Sequence, residues 1–540
     1  MYDLTIINGR ILDGAGNPWY RADIGVKEGK ICKIGQISSP GKKDIDAKGL
    51  IIAPGFIDVH SHSDETLLLN PQAESYVMQG ITTAVNGNCG SSPAPLIGRF
   101  REEYIKRKHK MLKAGLDVTW TSFSDYCKTL DTRGIAINAV TLVGHGNIRV
   151  GIMGEDGYTS RFPSEMELEE MKALLMQSLE EGAFGLSAGL VYPPGVYAQT
   201  QELIELCKIL PMYNAIFTIH IRGQGDQFLS ATREAIDIGE ASGTPVLLSH
   251  HSPNPGMWGN TRTSLRWVDE ARAKGIDISL DKHGYVYGST GLGTVLPPWA
   301  HKGGIMKLLE RLKDPENRER LKRDIAGARE WPRVSPALHA RAGDWEKITI
   351  ISSLKKEYEG KSIKTISETK GIDPFETVFD VLIENEGTAS VKYPAYSEGD
   401  LMRVFTHPSS MISTDGSASK PGIGNPHPKS YGTFPMIFRK YVRDLGILTL
   451  EEAVRKMTSQ AAHRFGIWDR GLLAPSMWAD IVIFDANKIA DHATIDDPTK
   501  YPVGICYVIV NGELVLEKSQ YTGNLPGKTL QKASSRIHSS

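Results

Sequence analysis

The chain has no surplus of charge of either sign: 62 lysines and arginines stand against 63 aspartates and glutamates over 540 residues, a formal net charge of -1. Without a basic excess there is little to displace counterions from phosphates, so nucleic acid is not an expected partner. Without an acidic or like-charged block there is no sign of a disordered solvating segment. Cysteine is scarce: Cys32, Cys89, Cys127, Cys207 and Cys506 are scattered, odd in number and form no CxxC pair. That excludes a disulfide framework and a cysteine-rich structural zinc site, and it predicts a reducing compartment. The amino end, MYDLTIINGRILDG, carries acidic Asp3 and lacks the basic and long apolar stretches of a signal peptide. No run suits a bilayer either, since the long uncharged stretch from Ala183 to Thr200 is broken by glycines and by Pro193 and Pro194. The expectation is a soluble cytoplasmic protein with no membrane contact.

What is present falls into two rhythms. Both chain ends read as short β-strands. Residues 4–14 place Asn8-Gly9 between two apolar runs, a hairpin signal, and 23–36 repeat the pattern around Glu28-Gly29. Near the other end ADIVIFD (479–485) reads as a strand, and 506–517 carries a second Asn-Gly turn at 511–512. A few isolated hairpins bury too little surface, so the two ends are expected to pair into one small β-domain, 1–53 with 468–522. Between them apolar strand-like runs at 50–59, 80–86, 135–143, 183–190, 215–221, 244–250, 276–281 and 410–414 alternate with amphipathic helices such as 164–181, 227–242 and 261–274. Such an α/β alternation implies a parallel sheet, either doubly wound or closed into an eight-stranded barrel over 54–285 and 351–467. The Gly/Pro-rich and then charged stretch 286–350 reads as an insertion before the last strand. Residues 523–540 read as a polar tail, frayed at the end.

The chemistry-bearing residues gather at the carboxyl ends of the predicted strands. In DVHSHSD (58–64), alternation puts Asp58, His60 and His62 on one face, with the two imidazoles about 7 Å apart along a strand, where they can chelate one cation. Cys89 lies in the loop GNCGSSPAP (87–95) after the strand GITTAV; a thiolate beside a divalent ion is deprotonated and can bridge two ions. His220 ends the strand in AIFTIHIRG with Arg222 on the same face. His250 ends TPVLLSH, Asp415 ends MISTDG, and His145 lies in TLVGHGNIR. Each alone is more ordinarily a satisfied core or loop residue. Together, on separate strands, they have the distribution of a barrel active site.

Taken with GAFGLSAGLVYPPG (182–195), HIRGQGD (220–226), SHHS (249–252), TDGS (414–417), HPKSYGTFP (427–435) and RGLLAPSMWADIVIFD (470–485), these motifs make the chain similar to the N-acyl-D-amino-acid deacylases of the amidohydrolase superfamily over nearly its whole length. The resemblance implies a (β/α)8 TIM-type barrel beside a small β-sandwich domain formed from both chain ends. It implies a zinc held tightly by Cys89, His220 and His250, and a second, weaker metal position at His60, His62 and Asp415 with the cysteine as bridge. Many amidohydrolases use a carboxylated lysine on the fourth strand; the matching strand here carries Ser187 and no lysine. The implied reaction is hydrolysis of a small N-acyl-amino acid, with Asp415 moving the proton and His145 beside zinc at the oxyanion.

Several positions depart from the family. Its His-His-Lys run is His250-His251-Ser252 here, and its D-x-Y-P-Y motif is Asp281-Lys282-His283-Gly284-Tyr285. The arginine of members selective for acidic side chains is missing from GLGTVLPPW. The remaining candidates to bind a substrate carboxylate are Tyr192, Arg222, Tyr285, Ser289 and Lys282. The rival readings are a cyclic-amide hydrolase of the dihydroorotase or hydantoinase kind, a dipeptidase for D-residues, and a silent scaffold keeping the fold. Self-association is left open.

Overall fold

The computed structural model describes residues 1–107, 115–327, 331, 333–422 and 425–532. Strands from both chain ends build two sheets. One has four strands, Leu4–Ile7, Asp23–Lys27, Lys30–Gly35 and Lys43–Asp46; the other has seven, mixing Arg10–Ile11, Tyr20–Arg21 and Ile51–Pro54 with four strands from 481–521. The chain ends meet where Ile51–Pro54 lies antiparallel to Ile481–Phe484. Ile6, Ile24, Val26 and Ile31 of the first sheet share one apolar cluster with Ile52, Ile481, Ile483 and Ile509 of the second. The hairpins expected around Glu28-Gly29 and Asn511-Gly512 are present. The one expected around Asn8-Gly9 is not: Leu4–Ile7 pairs in the four-stranded sheet, while Arg10–Ile11 pairs in the seven-stranded one. Asn8 does adopt positive φ, +64°. The reversal sends the chain from one sheet to the other, because Gly9 packs against Ile52, whose Cδ1 would be 2.3 Å from a Cβ there.

The α/β part has nine parallel strand segments at the eight expected places, Asn138–Thr141 and Val143–Gly144 both falling in the run expected at 135–143. Phe56–Asp58, Ile81–Asn86 and Asn138–Thr141 form one sheet. Val143–Gly144, Gly185–Gly189, Ile216–His220, Val246–Leu248, Ile278–Lys282 and Ser410–Ile412 form another. Leu142 alone separates the adjoining edges of the two sheets. At the other edges, Asp415 N–H donates to His60 O at 2.8 Å and His62 N–H to Gly416 O at 2.7 Å. The strands Gly185–Gly189, Ile216–His220 and Ile278–Lys282 are buried throughout, as parallel strands covered on both faces must be. Ile57, Val85, Val140, Ile216, Leu247 and Met411, from strands of both sheets, share one cluster closed below by Phe465. Among the described residues no helix is long and apolar enough to cross a membrane.

The structure corrects two boundaries. The inserted segment runs past 350: Ser390–Pro394 lies antiparallel to both Tyr287–Gly291 and Thr349–Ser352, so the inserted sheet closes only near residue 394. The tail is not frayed as far as it is described. Gly527 and Leu530 donate to Ile135 O and Ala139 O, Ala139 donates to Lys528 O, and Leu530 packs on the strand cluster. Apolar strand starts at 135–139 offer an unpaired edge, and a short extended segment satisfies it. Residues 533–540, with His538, and also His109, lie outside the described residues.

Truncation after Asn524 removes those three backbone hydrogen bonds. At about 1 kcal/mol each, it is expected to cost about 3 kcal/mol of stability. Denaturant melts of the two chains check this, with a lower midpoint expected for the shorter one.

Candidate metal centre

Six predicted side chains meet at the carboxyl ends of the strands. The Cys89 Sγ lies 3.4 Å from His60 Nε2, 3.8 Å from His220 Nδ1 and 3.7 Å from His250 Nε2. His62 Nε2 and His60 Nε2 lie 3.3 and 3.7 Å from Asp415 Oδ1. Two sets, His60 with Cys89 and His250, and His60 with His62 and Asp415, each offer three ligand atoms within 4.8 Å of one another. Zinc–sulfur and zinc–nitrogen bonds of about 2.3 and 2.05 Å at a tetrahedral angle leave donor atoms about 3.6 Å apart. The observed separations match that edge, and a thiol among imidazoles is a donor set suited to zinc.

The backbone is bent to achieve this. Cys89, His250 and Asp415 all have positive φ, +55°, +37° and +46°, a region costing about 1–3 kcal/mol for a residue with a side chain. The cysteine loop is pressed against its neighbours, since a Cβ on Gly87 would lie 2.2 Å from Leu142 O. Two buried carboxylates hold the other bends. Asp58 does not face the cluster with His60 and His62. It accepts from Thr414 N–H at 2.9 Å and Thr414 Oγ–H at 2.5 Å, which ties the first strand to the loop carrying Asp415. Asp281 accepts from His250 N–H at 3.0 Å and Ser413 Oγ–H at 2.6 Å, and its other oxygen lies 3.5 Å from His60 Nδ1. Sequence reasoning placed Asp281 in a substrate motif. Its outer-shell role was visible only as an aspartate three residues past the start of a buried strand.

Electrostatics sort the cluster. Burial lowers His220 to about 3 and His250 well below its usual range, so the uncharged ring, with one nitrogen free to bind, is favoured in both. Burial also raises the Cys89 thiol, so a cation is needed to hold the thiolate. Burial opposes the His62 proton, but Asp415 and Cys89 beside it raise that ring to about 9. Burial works against the Asp415 charge too, yet Lys429, with Nζ 2.7 Å from Oδ2, and then His62 hold it well below the carboxylate range. Lys429 was missed as a site residue, although it lies in the motif HPKSYGTFP.

The other candidates divide. Tyr192 stands edge-on to His220, with ring centroids 4.8 Å apart, and its hydroxyl accepts from Thr290. Tyr192 and Ser289 line a cavity of about 320 Å³ with Lys429, Tyr393 and Tyr396. Arg222 is a correction: it forks onto Glu234, at 2.8 Å for Nη2, and donates to Val196 O and Ala198 O, so it braces a loop. Tyr285 lies behind the cavity, edge-on to His427, with its hydroxyl under Gly432. Lys282 is fully buried; its Nζ lies 3.0 Å over the Tyr396 ring and 3.3 Å from His250 O, so an amine returns from the next strand where Ser252 leaves none, although burial disfavours its charge. His145 is turned from the oxyanion role: its Nε2 bonds Glu202 at 2.7 Å, and Arg149 clamps the same glutamate. On the fourth strand Ser187 donates to Gly87 O and accepts from Gly90 N–H, supporting the cysteine loop where a bridging lysine would stand.

Comparison with known proteins gives the family. The sequence profile of the Amidohydrolase family matches residues 43–208 and 344–516. The chain belongs to that family. As an amidohydrolase it is 34% identical to the N-acyl-D-glutamate deacylase of Alcaligenes xylosoxydans xylosoxydans, over 99% of this chain and 97% of the relative. It is 32% identical to the D-aminoacylase of the same organism, over 98% of each. The crystal structure of N-acyl-D-glutamate deacylase from Bordetella bronchiseptica, complexed with zinc and a phosphonate mimic of the tetrahedral intermediate, superposes with a TM-score of 0.81 at 33% identity, covering 98% of this chain and 99% of that one.

Asp281→Asn keeps an acceptor for His250 N–H but removes the charge beside His60. Metal affinity is expected to fall about 10–100-fold, the usual effect of losing an outer-shell carboxylate. Chelator competition on the purified protein measures it.

Proposed function

We propose that this amidohydrolase hydrolyses the amide bond of N-acyl-D-amino acids with zinc as its metal, giving a carboxylate and a free amino acid. The observation that carries the reading is the meeting of Cys89, His60, His62, His220, His250 and Asp415 at the carboxyl ends of separate strands. We read the two parallel sheets as arcs of one closed (β/α)8 barrel, supported by the His60–Asp415 backbone link and the shared apolar cluster. The two terminal sheets then form a β-sandwich of residues 1–53 and 468–522, and the inserted subdomain, first bounded at 286–350, extends to 394. Five cysteines without a disulfide support a cytoplasmic location.

Cys89, His220 and His250 would hold the first zinc, and His60, His62 and Asp415 a second, weaker one. Bound zinc supplies a water acidic near neutral pH and a Lewis acid for the acyl carbonyl. The remaining work belongs to the chain. Asp415, kept ionised by Lys429, takes a proton from the attacking water at Oδ1 and passes it to the leaving nitrogen. Tyr192 and Ser289 line the wall along which the substrate lies, and Lys429 attracts its carboxylate. Ser187 in place of a fourth-strand lysine weighs against a hydantoinase-like centre, and no ligand position is lost as in a silent scaffold.

A panel of N-acetyl-D- and N-acetyl-L-amino acids with hydantoins, run on zinc-loaded protein, tests this: turnover of the D-acyl compounds is expected, and hydantoins alone as substrates would overturn it. Asp415→Asn is expected to lower kcat by about 10²–10⁴ with zinc still bound. Lys429→Met removes the charge that favours ionised Asp415, so the base form appears only at higher pH. The acid limb of the kcat/KM profile is therefore expected to move up in pH.

A further inference from the structure

Three imidazoles surround Cys89. To bind a metal, each must present one bare nitrogen and dispose of a hydrogen on the other. His60 turns Nε2 to the sulfur, and its Nδ1 lies 3.5 Å from the Asp281 carboxylate. His220 turns Nδ1 to the sulfur, and its Nε2 is buried without a hydrogen-bond partner among the described residues. His250 turns Nε2 to the sulfur at 3.7 Å, and its Nδ1 lies 3.3 Å from the side-chain amide of Gln224. A carboxylate can only accept from a ring, whereas an amide can accept or donate.

Gln224 is held in place before any metal is considered. It is 3% exposed and lines the cavity that carries Lys429 and Ser289. Its backbone oxygen accepts from Asn254 N–H at 2.7 Å, and Asn254 Oδ1 accepts from Ser335 N–H of the inserted subdomain at 2.9 Å. The residue is thus pinned between the loops that follow two ligand-bearing strands. His250, at its disfavoured φ of +37°, is gripped at every polar group. Asp281 takes its N–H at 3.0 Å, Lys282 Nζ donates to its carbonyl at 3.3 Å, and Gln224 meets the ring.

As placed, Gln224 Nε2 faces His250 Nδ1 and lies 3.5 Å from His250 O. That arrangement suits a ring whose hydrogen is on Nε2, the side of the thiol. A metal on Nε2 requires the other tautomer, in which the hydrogen sits on Nδ1 and needs an acceptor. A half-turn about the last torsion of the glutamine, which is soft and two-fold, exchanges Nε2 for Oε1 and supplies one. Lys282 still donates to His250 O after the exchange.

We infer that Gln224 is a positioning residue of the metal centre: its amide supports either tautomer of His250 and turns over, acceptor for donor, when zinc takes the ring at Nε2. The inference rests on the first zinc position of the deacylase reading and concerns the outer contact of one ligand, not the substrate.

The test compares the full-length parent with Gln224→Glu and Gln224→Met. Chelator competition reads zinc affinity, and cobalt(II) in place of zinc reads the thiolate-to-metal absorption band. Met keeps the volume and loses the acceptor, so zinc affinity is expected to fall about 10–100-fold, with the cobalt band appearing only at correspondingly higher cobalt. Glu keeps both length and acceptor and is expected to stay within about tenfold of the parent or to bind more tightly. An amide needed only for packing would not separate the two variants in this order. A Met variant that stays within about tenfold of the parent, or a Glu variant weaker by about tenfold or more, overturns the inference and leaves the zinc reading standing. Should the Met variant fail to fold, the Glu variant decides by the same limit. A parent that binds no zinc and gives no thiolate band removes both.

Discussion

The centre depends on one backbone constraint: distant strands must each end in a turn tight enough to aim a ligand inward. Three of those ends, at Cys89, His250 and Asp415, are held in left-handed conformations that their side chains disfavour. The compensation comes from buried hydrogen bonds that cross between strands. Asp58 fastens the Thr414 turn, and Asp281 fastens the His250 turn while standing beside His60. Neither carboxylate belongs to the proposed ligand sets, yet both decide where ligands point. A cluster distributed over several strand ends is therefore only as rigid as these cross-strand ties, which is why a carboxylate one layer removed can matter nearly as much as a ligand.

Charge is arranged in the same economical way. The cluster gathers four imidazoles, a thiol and a carboxylate, and it is flanked by two buried lysines. Burial favours uncharged rings at His220 and His250 and disfavours a charge on Lys282, while Asp415 keeps its own charge through Lys429.

Much of this was legible in the sequence because strand ends announce themselves. An apolar run stopping at His220, His250 or the TDG of Asp415 places a polar group at the rim without any knowledge of packing. What could not be read were the pairings that packing decides. Arg222 shares a strand face with His220, but Glu234 one helix later captures its guanidinium. His145 sits at a strand end like the ligands, and Glu202 turns its ring to a separate task. Asn8-Gly9 carries a hairpin signal, and its positive φ is real; whether the next strand returns or crosses to another sheet is settled by Ile52. The strand Ser390–Pro394 was absorbed into the barrel for a similar reason, since its partners lie about 40 and 100 residues upstream.

The pairing of Ile51–Pro54 with Ile481–Phe484 has a consequence for biosynthesis. The amino-terminal strands emerge first from the ribosome but cannot complete their sheet until more than four hundred further residues have followed. Contacts this far apart in sequence form slowly, and meanwhile an apolar strand edge stands open to other chains. At elongation rates of about 5–20 residues per second that exposure lasts tens of seconds. Only the arrival of Ile481–Phe484 closes that edge of Ile51–Pro54.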